Sequence, residues 1–137
     1  MKFMLDTNMC IYIIKRKSSQ VIKRFKRTKI SLIGISSITL SELLYGVSKS
    51  SIPEKNQVAL AQFIAPLVIL PYGDEAAQYY GDLRAYLEKK GTPIGSLDML
   101  IAAHALSIAC TIVTNNEKEF IRIPNLKIDN WTNRGRS

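Results

Sequence analysis

Three apolar residues in succession, Phe3-Met4-Leu5, stop at Asp6-Thr7-Asn8, and a second apolar run over residues 9–14 begins at once. A half-exposed strand alternates apolar and polar residues. This one does not, so it reads as a strand buried on both faces, as in a parallel sheet covered by helices. Asn8 is placed to cap the helix that follows. Asp6 then stands at the carboxyl end of a central strand, beside a helix N-terminus, on the edge where open α/β sheets bind ligands. A carboxylate there serves either as a helix cap or as one member of a metal or catalytic cluster.

The same alternation continues down the chain. Residues 30–35, 67–70, 111–114 and 126–128 read as further short buried strands. Helical patterns fill the intervals: residues 9–14 and 20–27, a helix started by Ser36-Ser37, one opened by Pro53, a long one over residues 74–90 closed by Gly91, and one from Ser96 or Leu97 to Ile108. Asn115 to Phe120 is a polar turn with room for one helical turn, and Trp131 is a terminal apolar anchor. The expected fold is a three-layer α/β/α domain around a mostly parallel sheet of four or five strands, with all strand carboxyl ends on one edge. The 137 residues suit a single domain, 1–137, with a frayed tail from about Thr132.

Hydrophobic residues make up 47% of the chain, enough for a real core. No apolar run approaches the roughly 18 residues of a membrane span, and Asp6 and Asn8 interrupt any signal-peptide reading of the start. Cys10 and Cys110 sit in apolar stretches without metal-ligand spacing and read as buried free thiols of a reducing, cytoplasmic compartment.

Charge is unevenly spread. The chain carries 19 Lys and Arg against 11 Asp and Glu, a formal net of +8, and no acid lies between Asp6 and Glu42. Lys15, Arg16, Lys17, Lys23, Arg24, Lys26, Arg27 and Lys29 form a candidate RNA-binding patch, unless they are simply a solvated helix face.

The acids converge by topology. Asp6 follows the first strand, Glu42 lies early in the helix after the second, Asp98 opens the helix leading into the fourth, and Asn116 and Glu119 follow the fourth. Carboxylates crowded on one edge repel each other and raise each other's pKa. A hard divalent cation removes that penalty; Mg²⁺, or Mn²⁺ in its place, takes oxygen ligands and bridges carboxylates to phosphates. Metal-assisted hydrolysis of a phosphodiester is the chemistry implied.

Four runs, Leu5-Asp6-Thr7-Asn8, Ser41-Glu42-Leu43-Leu44-Tyr45-Gly46, Asp98-Met99-Leu100-Ile101-Ala102-Ala103-His104-Ala105 and Val113-Thr114-Asn115-Asn116-Glu117-Lys118-Glu119-Phe120, resemble in this order the PIN-domain ribonucleases, and more closely the VapC toxins of bacterial toxin–antitoxin pairs. The resemblance spans nearly the whole chain. It implies a PIN-like fold and an acidic metal site of Asp6, Glu42 and Asp98, with Thr7 and Thr114 as hydroxyls that orient ligands or water. Many PIN domains carry aspartate where Asn116 stands, so Glu119 completes the cluster here and Asn116 is a neutral amide beside it. The resemblance further implies a Mg²⁺-dependent endoribonuclease toxin that blocks translation by cutting structured RNA, such as the anticodon stem-loop of initiator tRNA. It also implies a homodimer and a VapB-like antitoxin whose tail lies in the acidic groove. Apolar positions in residues 52–64 and 74–86 are the expected dimer surface.

His104 is the single histidine, six residues past Asp98 in an apolar helix, and reads as a packed or interface residue. A metal-independent ribonuclease working through two histidines is thereby disfavoured. Ser96 reads as a helix cap, with no Gly-x-Ser-x-Gly elbow around it. Tyr79, Tyr80 and Tyr86 read as packing residues. No nucleotide-cofactor glycine motif is present. Two other functions fit the residues: a non-catalytic nucleic-acid-binding adapter, and an aspartyl-phosphate phosphatase, although that class normally has a second Asp where Asn8 stands.

Overall fold

The computed structural model describes residues 2–132. Five strands, β1 (Phe3–Leu5), β2 (Ile33–Ser36), β3 (Val68–Leu70), β4 (Thr111–Val113) and β5 (Lys127–Asp129), form one sheet in the order β3-β2-β1-β4-β5. Every pairing is parallel, with Phe3 opposite both Ile33 and Thr111. The chain moves outward from β1 to β2 and β3 on one side, then returns to place β4 and β5 on the other. The reversal of strand order beside β1 creates a crevice at the carboxyl ends of β1 and β4.

Among the described residues seven α-helices accompany the sheet: α1 (Thr7–Ile14), α2 (Ser19–Arg27), α3 (Ser37–Ser48), α4 (Pro53–Ile64), α5 (Asp74–Lys89), α6 (Ser96–Ser107) and α7 (Glu117–Phe120). Alternate residues of β1 feed opposite faces. Phe3 and Leu5 join Met9, Ile13, Val21, Ile33, Ile35 and Leu60 in one core. Met4 joins Leu83, Leu87, Ile101, Ile112 and Phe120 in the other. All three β1 side chains are therefore buried, the condition their unbroken apolar character requires. Each such side chain contributes about 1.5–3 kcal/mol on full burial.

Several boundaries have local causes. Pro53 opens α4 at its first turn. Gly91, at φ 70°, turns the chain after α5 in the left-handed conformation that glycine accepts without strain. The expected second strand begins three residues late, because Ile30–Leu32 forms a tight 3-10 turn that leads into β2. Two expected caps are corrected. Asp6, not Asn8, caps α1, since its Oδ1 accepts the Met9 N–H at 2.8 Å and Asn8 already lies inside the helix. Gly95, not Ser96, precedes α6, and no side-chain cap bond forms there.

Trp131 anchors the end of the described chain as expected. Its ring is buried and meets Phe3 edge-on at 5.6 Å. The tail beyond Thr132 lies outside the described residues. Cys10 and Cys110 are both buried free thiols. Among the described residues no helix is long and apolar enough to cross a membrane.

Candidate active site

Asp6 ends β1 and is 3% exposed. Its carboxylate is held from two sides, by the Met9 N–H and by a hydrogen bond with the Thr114 hydroxyl just past β4. Capping and clustering are thus properties of the same residue. Burial, assisted by the charge of Glu42 and opposed by the two hydrogen bonds, raises the Asp6 pKa to about 6.

Glu42 comes from α3, whose start is fixed by Ser36: the Ser36 Oγ accepts the Ile38 N–H at 3.0 Å. Thr7, the first residue of α1, donates to Glu42 Oε1 at 2.6 Å. The Thr7 hydroxyl also stands 3.5 Å from the hydroxyl of Thr39, which is fully buried one turn before Glu42. Thr39 is absent from the sequence-derived set. Its spacing of three residues from Glu42 puts both on one helix face, which was the available signal.

Asp98 lies in the first turn of α6 and is half-buried. Its pKa is raised to about 7, first by burial, then by a hydrogen-bonding contact with the Glu119 carboxyl and by the charges of Asp6, Glu119 and Glu42. Glu119 belongs to α7, and its Oε2 accepts from the Asn116 amide at 2.5 Å. The Asn116 N–H in turn donates to Thr114 Oγ1 at 2.9 Å, which leaves the Thr114 proton for Asp6.

The structure therefore brings Asp6, Glu42, Asp98 and Glu119 into one electrostatic neighbourhood, with Thr7, Thr114 and Asn116 each bonded to one of the acids. Neither of the two ion pairs found among the described residues, Arg24–Asp129 and Arg84–Glu88, neutralises any of them. As placed, no three Asp, Glu, His or Cys side chains among the described residues enclose a ready-made metal cage. The fit to a cation rests instead on donor chemistry and charge. An all-oxygen set in which crowding and burial hold the Asp6 and Asp98 pKa values at about 6 and 7 is one that Mg²⁺ or Mn²⁺ relieves.

The basic segment divides. Lys15, Arg16, Lys17, Lys23, Lys26, Arg27 and Lys29 are exposed. Arg24 is not part of a free patch: it pairs with Asp129 at 3.0 Å and lies 5.4 Å over the Trp131 ring, fastening α2 to the end of β5 and the residues that follow it. Lys15 caps the far end of α1, about 13 Å along the helix from Asp6.

His104 is buried, as expected of a packed residue, and bonds Ser36. Of the three tyrosines read as packing, only Tyr80 is half-buried; Tyr79 and Tyr86 are 46% and 38% exposed. They rim a depression of about 420 Å³ between α5, the end of α6 and the turn before β5. Ile52 and Val58 of the expected dimer surface are also exposed, and so are Leu44 and Tyr45 of α3. A carbon at Gly46 would touch nothing within 4 Å among the described residues, so no other element approaches α3 closely there.

The sequence and fold resemble those of known proteins. The PIN domain family matches residues 3–126. The "tRNA(fMet)-specific endonuclease VapC" of Salmonella typhimurium is 48% identical over 131 residues, which cover 96% of this chain and 98% of that protein. The chain belongs to the VapC toxins of the PIN-domain family. "Ribonuclease VapC2" of Rickettsia felis is also 48% identical, over 96% of this chain and 98% of its own length. Among solved structures of this family, DNA-bound VapBC from Salmonella typhimurium superposes with a TM-score of 0.91 at 48% identity, covering 96% of this chain and 98% of that one. VapBC2 from Rickettsia felis, bound to a DNA fragment from their promoter, gives 0.87 at 46% identity, covering 96% and 99%. A VapC-type ribonuclease and toxin role follows from this membership.

Proposed function

We propose that this VapC-family chain is a Mg²⁺-dependent endoribonuclease toxin that cuts structured RNA, with the anticodon stem-loop of initiator tRNA as its substrate. The observation that carries the reading is the gathering of four carboxylates, two with pKa values of about 6 and 7, at the strand-order reversal beside β1. The tRNA choice draws on the tRNA(fMet)-specific endonuclease name of the Salmonella relative.

Asp6, Asp98, Glu42 and Glu119 are the residues that would hold Mg²⁺, with Mn²⁺ as its substitute. When bound there, the cation supplies charge neutralisation and water activation for phosphodiester hydrolysis. The chain's own contribution is positioning. Thr7 keeps Glu42 turned toward the crevice, Thr114 and the Met9 N–H hold Asp6, and Asn116 holds Glu119 without adding a charge. The exposed bases after α1 and on α2 attract RNA phosphates without reading sequence.

The VapBC complexes similar to this chain support a cognate VapB-like antitoxin as partner. An acidic crevice whose carboxylates take part in no ion pair among the described residues suits an incoming Arg or Lys. The exposed apolar residues of α3, α4 and α5 are the surfaces offered to a second copy in a homodimer. A tRNA target places the protein in the cytoplasm.

The test is cleavage of total RNA by antitoxin-free protein, with Mg²⁺ and with EDTA, beside Asp6→Ala, read by mapping new RNA ends. A discrete Mg²⁺-dependent cut at the initiator tRNA anticodon loop, absent in the variant, is expected. An equal cut by Asp6→Ala would overturn the site, and a cut elsewhere the substrate.

A further inference from the structure

His104 stands out in α6 because its neighbours Ile101, Ala102, Ala103 and Ala105 are all apolar and fully buried. An imidazole in such a place is costly unless its nitrogens are satisfied. Nδ1 lies 2.8 Å from Ser36 Oγ, and the ring also bonds the Pro71 carbonyl. A carbonyl accepts only, so the ring N–H faces Pro71 and is assigned to Nε2. Nδ1 then accepts the Ser36 hydroxyl proton, while the same Ser36 oxygen accepts the Ile38 N–H. Tyr72 meets the ring edge-on at 5.6 Å, and its N–H donates to Ser37 Oγ at 3.0 Å. Among the described residues no buried side-chain nitrogen or oxygen lacks a partner.

These bonds meet at the start of α3, the end of β3 and the middle of α6. Glu42 rides on α3 and Asp98 on α6. An apolar side chain would fill the space; a polar one with direction restricts how the two helices can shift against each other.

We propose that His104 is a positioning residue: through Ser36 it sets α3 against α6, and so sets Glu42 against Asp98 for a divalent cation. The inference rests on the proposed metal site.

The test uses full-length wild type, His104→Leu, His104→Asn, Ser36→Ala and the Ser36→Ala/His104→Leu double variant. Mn²⁺ affinity is measured by calorimetry, melting temperature without cation is recorded, and kcat and KM for RNA are separated. His104→Leu should weaken Mn²⁺ binding about 10-fold and lower kcat similarly at fixed Mn²⁺, with KM for RNA unchanged. His104→Asn, whose amide can stand where Nδ1 does and meet Ser36, should regain most of the affinity. Ser36→Ala should reproduce the loss, and the double variant should lose clearly less than the sum of the two single losses, since the two share the His104–Ser36 bond while Ser36→Ala alone also removes the α3 cap and His104→Leu alone the Pro71 bond. Folded His104→Leu or Ser36→Ala with wild-type Mn²⁺ affinity would overturn the proposal, as would additive losses. Should His104→Leu not fold, Ser36→Ala decides. Wild type that binds no Mn²⁺ and cuts no RNA overturns the functional reading, and this one with it.

Discussion

The Thr7 hydroxyl donates a 2.6 Å hydrogen bond to Glu42, tying the first residue of α1 to a carboxylate inside α3. Without it Glu42 is a half-buried glutamate with rotamer freedom. A ligand-orienting hydroxyl of this kind is worth roughly 10–100-fold in activity or metal affinity. Thr7→Val keeps the shape and removes the donor. It is expected to lower kcat for RNA cleavage by roughly 10-fold or more, with KM little changed, while Thr7→Ser stays near wild type. Steady-state kinetics at saturating Mg²⁺ check this, and a Thr7→Val enzyme with wild-type kcat would remove Thr7 from the site.

Stability should depend on pH in an unusual direction. Asp6 and Asp98 have pKa values of about 6 and about 7, above those of a carboxyl in an unfolded chain. Between about pH 4 and pH 7 the folded state holds more protons than the unfolded one, so cation-free stability from these groups falls as pH rises. For Asp6, which is buried, the loss is on the order of 2–3 kcal/mol. Comparing wild type with Asp98→Asn cancels the general charge of the chain. In EDTA the variant should melt several degrees higher at pH 8 and about equally at pH 5. Mg²⁺ should raise the wild-type melting temperature more at pH 8 than at pH 5, where protons compete for the same oxygens. A wild type that gains more stability than Asp98→Asn from pH 5 to pH 8 without cation would contradict the electrostatic picture.

Arg24 and its basic neighbours should separate cleanly. Arg24 bonds Asp129 and covers Trp131, so Arg24→Ala is expected to lower stability by about 1 kcal/mol, the sum of a modest ion pair and a cation–π contact. Lys23→Ala and Lys26→Ala, both at exposed positions, should leave the melting temperature unchanged. Each should instead reduce the slope of log affinity for RNA against log salt by up to about 1. Equilibrium denaturation and salt-titrated RNA binding by a cleavage-dead Asp6→Ala background measure the two effects. Loss of salt slope in Arg24→Ala without loss of stability would return Arg24 to the RNA-binding set.

The layers and the parallel sheet were legible because buried strands with no polar alternation cannot face water on either side. Phe3-Met4-Leu5 alone shows this, and its two-sided burial bears it out. The acidic edge was legible because strand carboxyl ends of a parallel sheet share one side. Finer features depended on tertiary partners that local pattern does not encode. Arg24 looked like one base among eight until Asp129, 105 positions away, supplied its counter-charge. Asp6 won the cap from Asn8 because its carboxylate reaches the Met9 N–H from the strand end. The link from His104 to Ser36 spans 68 positions and has no local signal at all.

Asn116 offers the sharpest test of charge in the site. Its amide donates to Glu119, which itself contacts Asp98. Asn116→Asp preserves the shape, removes that donor and sets a like charge beside Glu119. In the absence of cation the added repulsion favours protonated carboxyls and destabilises the fold at pH 8. The variant should therefore melt lower than wild type in EDTA. A divalent cation neutralises the added charge along with the rest, so the rise in melting temperature on adding Mg²⁺ or Mn²⁺ should exceed that of wild type. Thermal melts with and without each cation suffice. An equal rise in both proteins would mean that position 116 lies outside the cation's reach, and that Asn116 serves only to hold α7 in place.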